Sequence, residues 1–334
     1  MSIRVVTYNL LVPKLAEQPG FYMKSRPEFL RIEYRWPIIK SQLKQEIQYH
    51  QNTIICLQEV SRSLLPTLKA FFHRMNYIMI ESLFGERYND NMGVAIAVPV
   101  TMPLFYKNSI TVGDHIRSII SSFKKDLFSL STWRDALMYS VIDQSKPSSD
   151  GLWETAMSLN NTLVCVGVHI HGRPLFIGTY HMPCLFQIPE IMVMHSSAVK
   201  DLMFQLAAGH PLILAGDFNL QPHDISYRAI TERGYARHIE LPSIGNYTKN
   251  YPFNTRQLLR SAYREKNGTE PNYTNFSSTQ KSKNFCATLD YIFFSGNLIV
   301  NDVLQLPNYP TGESYPDRTH PSDHLMLAAS FQLF

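Results

Sequence analysis

Hydrophobic residues in the first half of the chain recur in short runs that switch between strand-like and helix-like spacing, the pattern of a layered α/β protein. Ile3 to Leu11 reads as a strand, and Trp36, Ile39, Leu43 and Ile47 then recur at helical intervals. The apolar run Thr53 to Leu57 predicts a buried strand. Leu64, Leu68, Phe71, Phe72 and Met75 predict an amphipathic helix whose Pro66 falls in the first turn, where a missing N–H does no harm. Strands are expected at Tyr77 to Glu81 and Gly93 to Val98. Leu163 to Ile170 and Pro174 to Tyr180 flank His171-Gly172-Arg173 as a hairpin. Pro189 opens a helix that Gly209 closes, and Pro211 to Gly216 is a short strand running into Asp217.

Two stretches leave this rhythm. Residues 107–160 hold amphipathic helical segments (Ile116, Ile119, Ile120, Phe123, Leu127), Trp133, Trp153 and the polar link Gln144 to Gly151, and read as an insert. Residues 241–287 are rich in Asn, Thr, Ser, Tyr and Pro around one short helix expected at Thr255 to Glu265. Long loops of this kind in a compact domain tend to carry function.

Polar residues interrupt the apolar runs where strands end. Asn9 breaks Val5 to Leu11, Gln58-Glu59 ends Ile54 to Leu57, and Asp217-x-Asn219 ends Leu212 to Gly216. Asp290 stands before Tyr291 to Phe294, and Ser322-Asp323-His324 precedes Leu325 to Leu327. Taken singly, each has an ordinary reading, because Glu59 can cap a helix and Asp217-x-Asn219 can form an Asx turn. Taken together, carboxylates, an amide and an imidazole at five strand ends point to one ligand site. Oxygen donors and carboxamides suit Mg²⁺ or Mn²⁺; zinc would call for more His or Cys.

Composition narrows the class more than the chemistry. With 45% apolar and 17% charged residues, the 334-residue chain is not a disordered one. Lys plus Arg number 31 against 27 Asp plus Glu, a net +4 that is too small to name a polyanionic partner. The chain shows no signal-peptide pattern, and its apolar stretches reach about eight residues where a membrane span needs ~20. Cys56, Cys165, Cys184 and Cys286 are widely spaced with no CxxC pair, so the expected home is the cytoplasm or another reducing intracellular compartment, without secretion.

The ordered blocks Thr7-Tyr8-Asn9, Leu57-Gln58-Glu59-Val60, Gly216-Asp217-Phe218-Asn219, Leu289-Asp290-Tyr291-Ile292 and Ser322-Asp323-His324 resemble the signatures of the exonuclease-endonuclease-phosphatase superfamily. Glu33-Tyr34-Arg35, Ser261-Ala262-Tyr263 and Pro271 to Asn275 leading to Phe285 to Phe293 are similar to its deadenylase, nocturnin, Angel and 2′-5′ phosphodiesterase branch. The resemblance implies a DNase I-like four-layer α/β sandwich, two mixed β-sheets face to face with helices outside. It spans residues 1–334 as one catalytic domain with the 107–160 insert. No leucine-rich docking segment is expected.

The resemblance also implies roles. Glu59, Asn9 and Asp323 would bind Mg²⁺ or Mn²⁺, with the Asn9 carboxamide also holding Asp217. Asp217 would orient or deprotonate the attacking water, and Asn219 and His181 would bind phosphate oxygens. His324 would contact the scissile phosphate while Asp290 fixes its tautomer. Phe285 would stack on a base, with Asn275 and Tyr273 in the same pocket. The implied activity is a metal-dependent phosphodiesterase, a 3′→5′ exoribonuclease releasing nucleoside 5′-monophosphates from single-stranded RNA. Other phosphoester substrates (DNA, 2′-5′ oligoadenylate, a dinucleotide) and a silent RNA-binding module are the alternatives. His169-x-His171 reads as a surface feature, and Arg117, Lys124, Lys125 and Arg134 as a solvated helix face or a clamp for a nucleic-acid backbone.

Overall fold

The computed structural model describes residues 2–85, 92–127, 149–233 and 257–334. Its strands are, in chain order, β1 (Ser2–Asn9), β2 (Thr53–Ser61), β3 (Tyr77–Gly85), β4 (Met92–Pro99), β5 (Leu104–Thr111), β6 (Thr162–Ile170) and β7 (Arg173–His181). There follow β8 (Leu212–Asp217), β9 (Arg260–Ser261), β10 (Asn275–Ser277), β11 (Phe285–Ala287), β12 (Asp290–Ser295), β13 (Leu298–Val303) and β14 (Leu327–Leu333). Among the described residues they form two six-stranded sheets, ordered β13-β14-β1-β2-β4-β3 and β5-β6-β7-β8-β12-β9, and the small hairpin β10-β11. Each large sheet is mixed, with one parallel pair near its centre, β1/β2 in one and β7/β8 in the other.

Side-chain alternation explains the layering. Ile3, Val5, Ile54 and Cys56 face Ile177, Ile213 and Ala215 across the space between the sheets. The alternate residues Val6, Tyr8, Ile55 and Leu57 pack outward on the helices Ile32–Tyr49 and Leu65–Arg74. On the other outer face, Leu212 and Leu214 meet the helix Pro189–Ala207, together with Ile116 and Trp153. Strands buried on both faces read as continuous apolar runs, which is why the sequence shows little strict alternation in them. The order of layers is helix, sheet, sheet, helix, as the resemblance implied.

Three boundaries differ from the sequence reading. Strand β2 continues past Leu57 to Ser61 through a register shift between Gln58 and Val60. The helix expected from Thr255 begins instead at Ala262, where Ser261 caps it by accepting the Arg264 N–H at 3.5 Å. Residues 107–111 belong to the edge strand β5, so the helical part of the insert starts at Val112. Thr255, Trp133, Arg134 and the side chains of Lys124 and Lys125 lie outside the described residues. Among the described residues no helix is long and apolar enough to cross a membrane.

The second insert helix is held by a buried imidazole. His195 Nδ1 accepts from the Tyr180 hydroxyl at 2.8 Å and its Nε2–H donates to the Ala156 carbonyl at 3.0 Å, joining the helix Ser149–Ser158 to the sheet. Burial pushes its pKa from 6.5 down to about 4. An unfolded chain binds a proton below about 6.5 that the folded protein refuses until about 4, so stability present at neutral pH is lost as pH falls through that window. The loss amounts to about 3 kcal/mol. The melting temperature of the wild type should therefore drop between pH 6.5 and 4.5, and His195→Gln should flatten that drop. An unchanged profile in the variant would assign it to other groups.

Candidate active site

On the facing surfaces of the two sheets, the apolar series turn polar toward one end. The series run Val5, Thr7, Asn9 in β1, then Cys56, Gln58 in β2, then Ile177, Thr179, His181 in β7, and Ala215, Asp217 in β8. Strand β12 runs the other way and begins with Asp290 before Ile292 and Phe294. A first polar layer closes the core: Thr7 Oγ1 donates to Gln58 Oε1 at 3.2 Å, and Gln58 Nε2 donates across the gap to Thr179 Oγ1 at 2.9 Å. Gln58 and Thr179 thus form the floor of the site; Gln58 lay inside a recognised block, but no role was expected of it or of Thr179.

The register places Asp217 beside two of its expected neighbours. His181 is its partner in parallel β7 and Asp290 its partner in antiparallel β12. Asn9 Nδ2 then reaches across from the other sheet, donating to Asp217 Oδ2 at 3.0 Å and to Glu59 Oε1 at 3.2 Å. Asp217 Oδ1 accepts the backbone N–H of Asn219 at 2.9 Å, which shapes the turn at Asn219 with its φ of 49°. The Asn219 amide donates one hydrogen to the Met182 carbonyl at 2.9 Å and keeps a second. His181 Nε2 stands 3.4 Å, and His324 Nε2 3.7 Å, from Asp217 Oδ2.

Glu59 is the bulged residue of β2. Gln58 pairs with Val94 and Val60 with Gly93, so Glu59 has no partner, and its φ of 56° turns the half-buried side chain toward the site. Its second oxygen accepts the Val12 N–H at 2.6 Å. Left-handed backbone at a residue with a Cβ costs about 1 kcal/mol or more, and such strain gathers at functional sites.

His324 comes from the loop before β14. Its Nδ1 donates to Asp290 Oδ2 at 2.8 Å, leaving Nε2 toward Asp217. Thr274 Oγ1 donates to the same Asp290 oxygen at 2.6 Å while accepting the N–H groups of Leu289 and Asp290. Burial, with the Asp217 charge, pushes the Asp290 carboxyl up to about 6 against the lowering effect of His324. For His324 burial opposes the charged ring, yet Asp290 and Asp217 together outweigh it and raise its pKa well above 6.5. A tightly hydrogen-bonded carboxylate–imidazolium pair results, with the tautomer set by Asp290.

The chain matches the profile described as "Endonuclease/Exonuclease/phosphatase family" over residues 7–324. It belongs to that family. The matched span runs from Thr7 to His324 and so includes the expected site residues between them. Among curated members, the chain is 25% identical over 345 residues to 2′,5′-phosphodiesterase 12 of Mus musculus, covering 99% of this chain and 52% of that one. It is 28% identical over 366 residues to Carbon catabolite repressor protein 4 homolog 4 of Arabidopsis thaliana, covering 100% and 78%. The chain thus spans about half the length of the first of these relatives. The crystal structure of ANGEL2, a 2′,3′-cyclic phosphatase, in complex with adenosine-2′,3′-vanadate, superposes with a TM-score of 0.69 at 18% identity over 100% of this chain and 96% of that one, and it shows the fold.

Ligand atoms of Asp217, Asp290 and His324 lie within 4.8 Å of one another. Within this group His324 Nδ1 is already committed to Asp290 Oδ2 by a hydrogen bond at 2.8 Å, so that ring nitrogen is not open to an ion. A hard divalent ion fits better at Glu59, whose half-buried carboxylate accepts only two N–H groups. Among the described residues Asp290 Oδ1 and His181 Nδ1 are buried without a hydrogen-bond partner, two polar atoms left open to a polar ligand. Asn9 turns its carboxamide oxygen to the Leu11 N–H at 3.0 Å, so in this family member it braces both carboxylates. Asp323 Oδ2 accepts the buried Tyr22 hydroxyl at 2.9 Å.

The remaining expected residues divide. Phe285 is half-exposed on β11, and Asn275 on the partner strand bridges at His324, so this hairpin borders the site. Tyr273 does not reach the surface: its ring is buried with Phe276, Tyr315 and Leu325, and its hydroxyl lies 3.4 Å from that of Tyr315. Arg117 ties the insert together through Asp114 and the Met157 carbonyl, at 2.8 Å from the latter, in place of a free clamp. His169 packs on the Phe105 ring. Tyr22 and Thr274 hold site carboxylates; Thr274 lay inside a recognised block, and nothing in the sequence marks Tyr22.

Proposed function

We propose that this chain is a Mg²⁺- or Mn²⁺-dependent phosphodiesterase acting as a 3′→5′ exoribonuclease on single-stranded RNA, poly(A) included, and releasing nucleoside 5′-monophosphates. The observation that carries this reading is Asp217 set between His181 and Asp290 by strand register and tied through Asn9 to Glu59. Membership of the family and the likeness to a carbon catabolite repressor homologue support it. A binding module gains nothing from carboxylates facing an anionic ligand. Residue roles follow the chemistry of in-line displacement.

Glu59 would hold the ion, with Asp323 and Asn9 beside it, and when bound the ion would neutralise phosphate charge as the leaving oxygen departs. Asp217 would align a water and accept its proton at Oδ2, the oxygen that already faces two imidazoles and an amide. The second hydrogen of the Asn219 amide, His181 and the charged His324 ring would donate to phosphate oxygens as charge builds there. Asp290 would keep His324 charged and turned. Half-exposed Phe285 would offer a face to a base, a contact that contributes about 1–3 kcal/mol per base and tolerates sequence.

A time course on 5′-labelled oligo(A) and oligo(U), 2′-5′ oligoadenylate, RNA with a 2′,3′-cyclic phosphate end and duplex DNA tests the reading. Mg²⁺-dependent shortening of oligo(A) from its 3′ end is expected, and no shortening of any 3′-5′ RNA would refute it. Phe285→Ala should lower kcat/KM on oligo(A) by about 5–100-fold. A variant that degrades oligo(A) at the wild-type rate would remove the stacking role.

A further inference from the structure

Arg35 heads the largest side chains that are fully buried, and its charge meets no carboxylate directly among the described residues. The guanidinium donates instead to four backbone carbonyls: Nε to Leu30 at 3.1 Å, Nη1 to Leu10 at 2.9 Å and Pro321 at 3.0 Å, and Nη2 to Leu11 at 2.9 Å. These carbonyls belong to three segments. Leu10 and Leu11 form the turn after β1, where Leu11 has a φ of 56° and the next residue delivers its N–H to Glu59. Pro321 precedes Ser322-Asp323-His324, and Ser322 Oγ donates to the Asn9 carbonyl at 2.7 Å, a second tie between the same two segments. Leu30 ends the short helix Pro27–Leu30, which follows the segment that brings Tyr22 to Asp323.

A cation placed among neutral acceptors is costly to desolvate, and an apolar side chain of like volume would avoid that cost only by leaving four carbonyl oxygens without a donor. What such a side chain lacks is a rigid fork of directed N–H donors. Lysine carries charge but only one donor nitrogen, so it cannot span four carbonyls.

We propose that Arg35 is a positioning residue whose guanidinium sets the spacing between the Asn9–Glu59 half of the site and the Asp323–His324 half. The inference rests on the phosphoesterase reading above. Arg35→Met keeps volume without charge, and Arg35→Lys keeps charge without the fork. Both should stay folded by circular dichroism while kcat on 5′-labelled oligo(A) falls about 10–100-fold with KM within threefold, because misplacement of about 1 Å is enough for losses of that size. A kcat within threefold of wild type in folded Arg35→Met, or full recovery in Arg35→Lys, would overturn the proposal.

Should Arg35→Met not fold, Ser322→Ala removes the second tie and is expected to lower kcat about tenfold; a wild-type kcat there would likewise overturn it. Bis(p-nitrophenyl) phosphate with Mn²⁺ is run in parallel. If the wild type cleaves this diester but no RNA, the RNA reading fails while the clamp is judged on the chromogenic rates. If it cleaves neither, the phosphoesterase reading fails, and the clamp is judged on whether the rise in melting temperature caused by Mn²⁺ alone is smaller in the variants.

Discussion

Glu59→Ala and Glu59→Gly should both lose at least about three orders of magnitude in phosphoester cleavage, and the glycine variant should be the more stable of the two. The loss follows from the ion: a bound divalent cation supplies several kcal/mol of charge stabilisation in phosphoester cleavage, and about 4 kcal/mol corresponds to a thousandfold. The stability order follows from the backbone. Glu59 sits at a φ of 56° in the β2 bulge, and alanine keeps that strain while glycine relieves it, a difference of about 1 kcal/mol. The half-buried position lets water take over the hydrogen bonds that the carboxylate gives up at Val12 and Asn9. Thermal melts with and without Mg²⁺, alongside oligo(A) kinetics, check both halves. Wild-type turnover in either variant, or an unchanged Mg²⁺-induced rise in melting temperature, would remove Glu59 from the site.

Asp290→Asn should lower kcat by about 10²–10⁴-fold, because loss of the carboxylate that orients an active-site imidazole costs up to about 10⁴. The amide keeps the shape but removes the charge that faces His324 Nδ1 at 2.8 Å, and with it the main support for the charged ring. The pH dependence of stability should change as well. His324 is raised above its unfolded 6.5, so its contribution is fully present below that pH and is lost as pH rises through the elevated folded value. The variant should therefore show less fall in melting temperature as pH rises above 6.5 than the wild type. An unaltered kcat in Asp290→Asn would mean that the pair serves the fold rather than the reaction.

Much of this arrangement was legible in the chain. Strand positions, the two helices of the first half and the polar residues at strand ends follow from local hydrophobic spacing, and the site residues lie where those runs stop. Other features were not legible for identifiable reasons. The bulge at Glu59 depends on its mismatch with Gly93 and Val94, so β2 read as ending at Leu57. Tyr273 was expected in the base pocket from the resemblance, but its side chain turns inward to Tyr315. Tyr22 holds Asp323 from 301 positions away, a separation over which no spacing rule operates.

Alternation along each strand is a local property, and it alone put Asn9 on the face of Val5 and Thr7, His181 on that of Ile177, Asp217 on that of Ala215 and Asp290 on that of Ile292; which face points between the sheets depended on how the sheets pack. Which of them meet was decided by tertiary structure. The parallel pairing of β7 with β8 and the antiparallel pairing of β8 with β12 set His181 and Asp290 on either side of Asp217. The packing of one sheet on the other then brought Asn9 and Glu59 across. Strand pairing and sheet packing are chosen by the burial of the whole core, and only that global term places four backbone carbonyls around a single arginine.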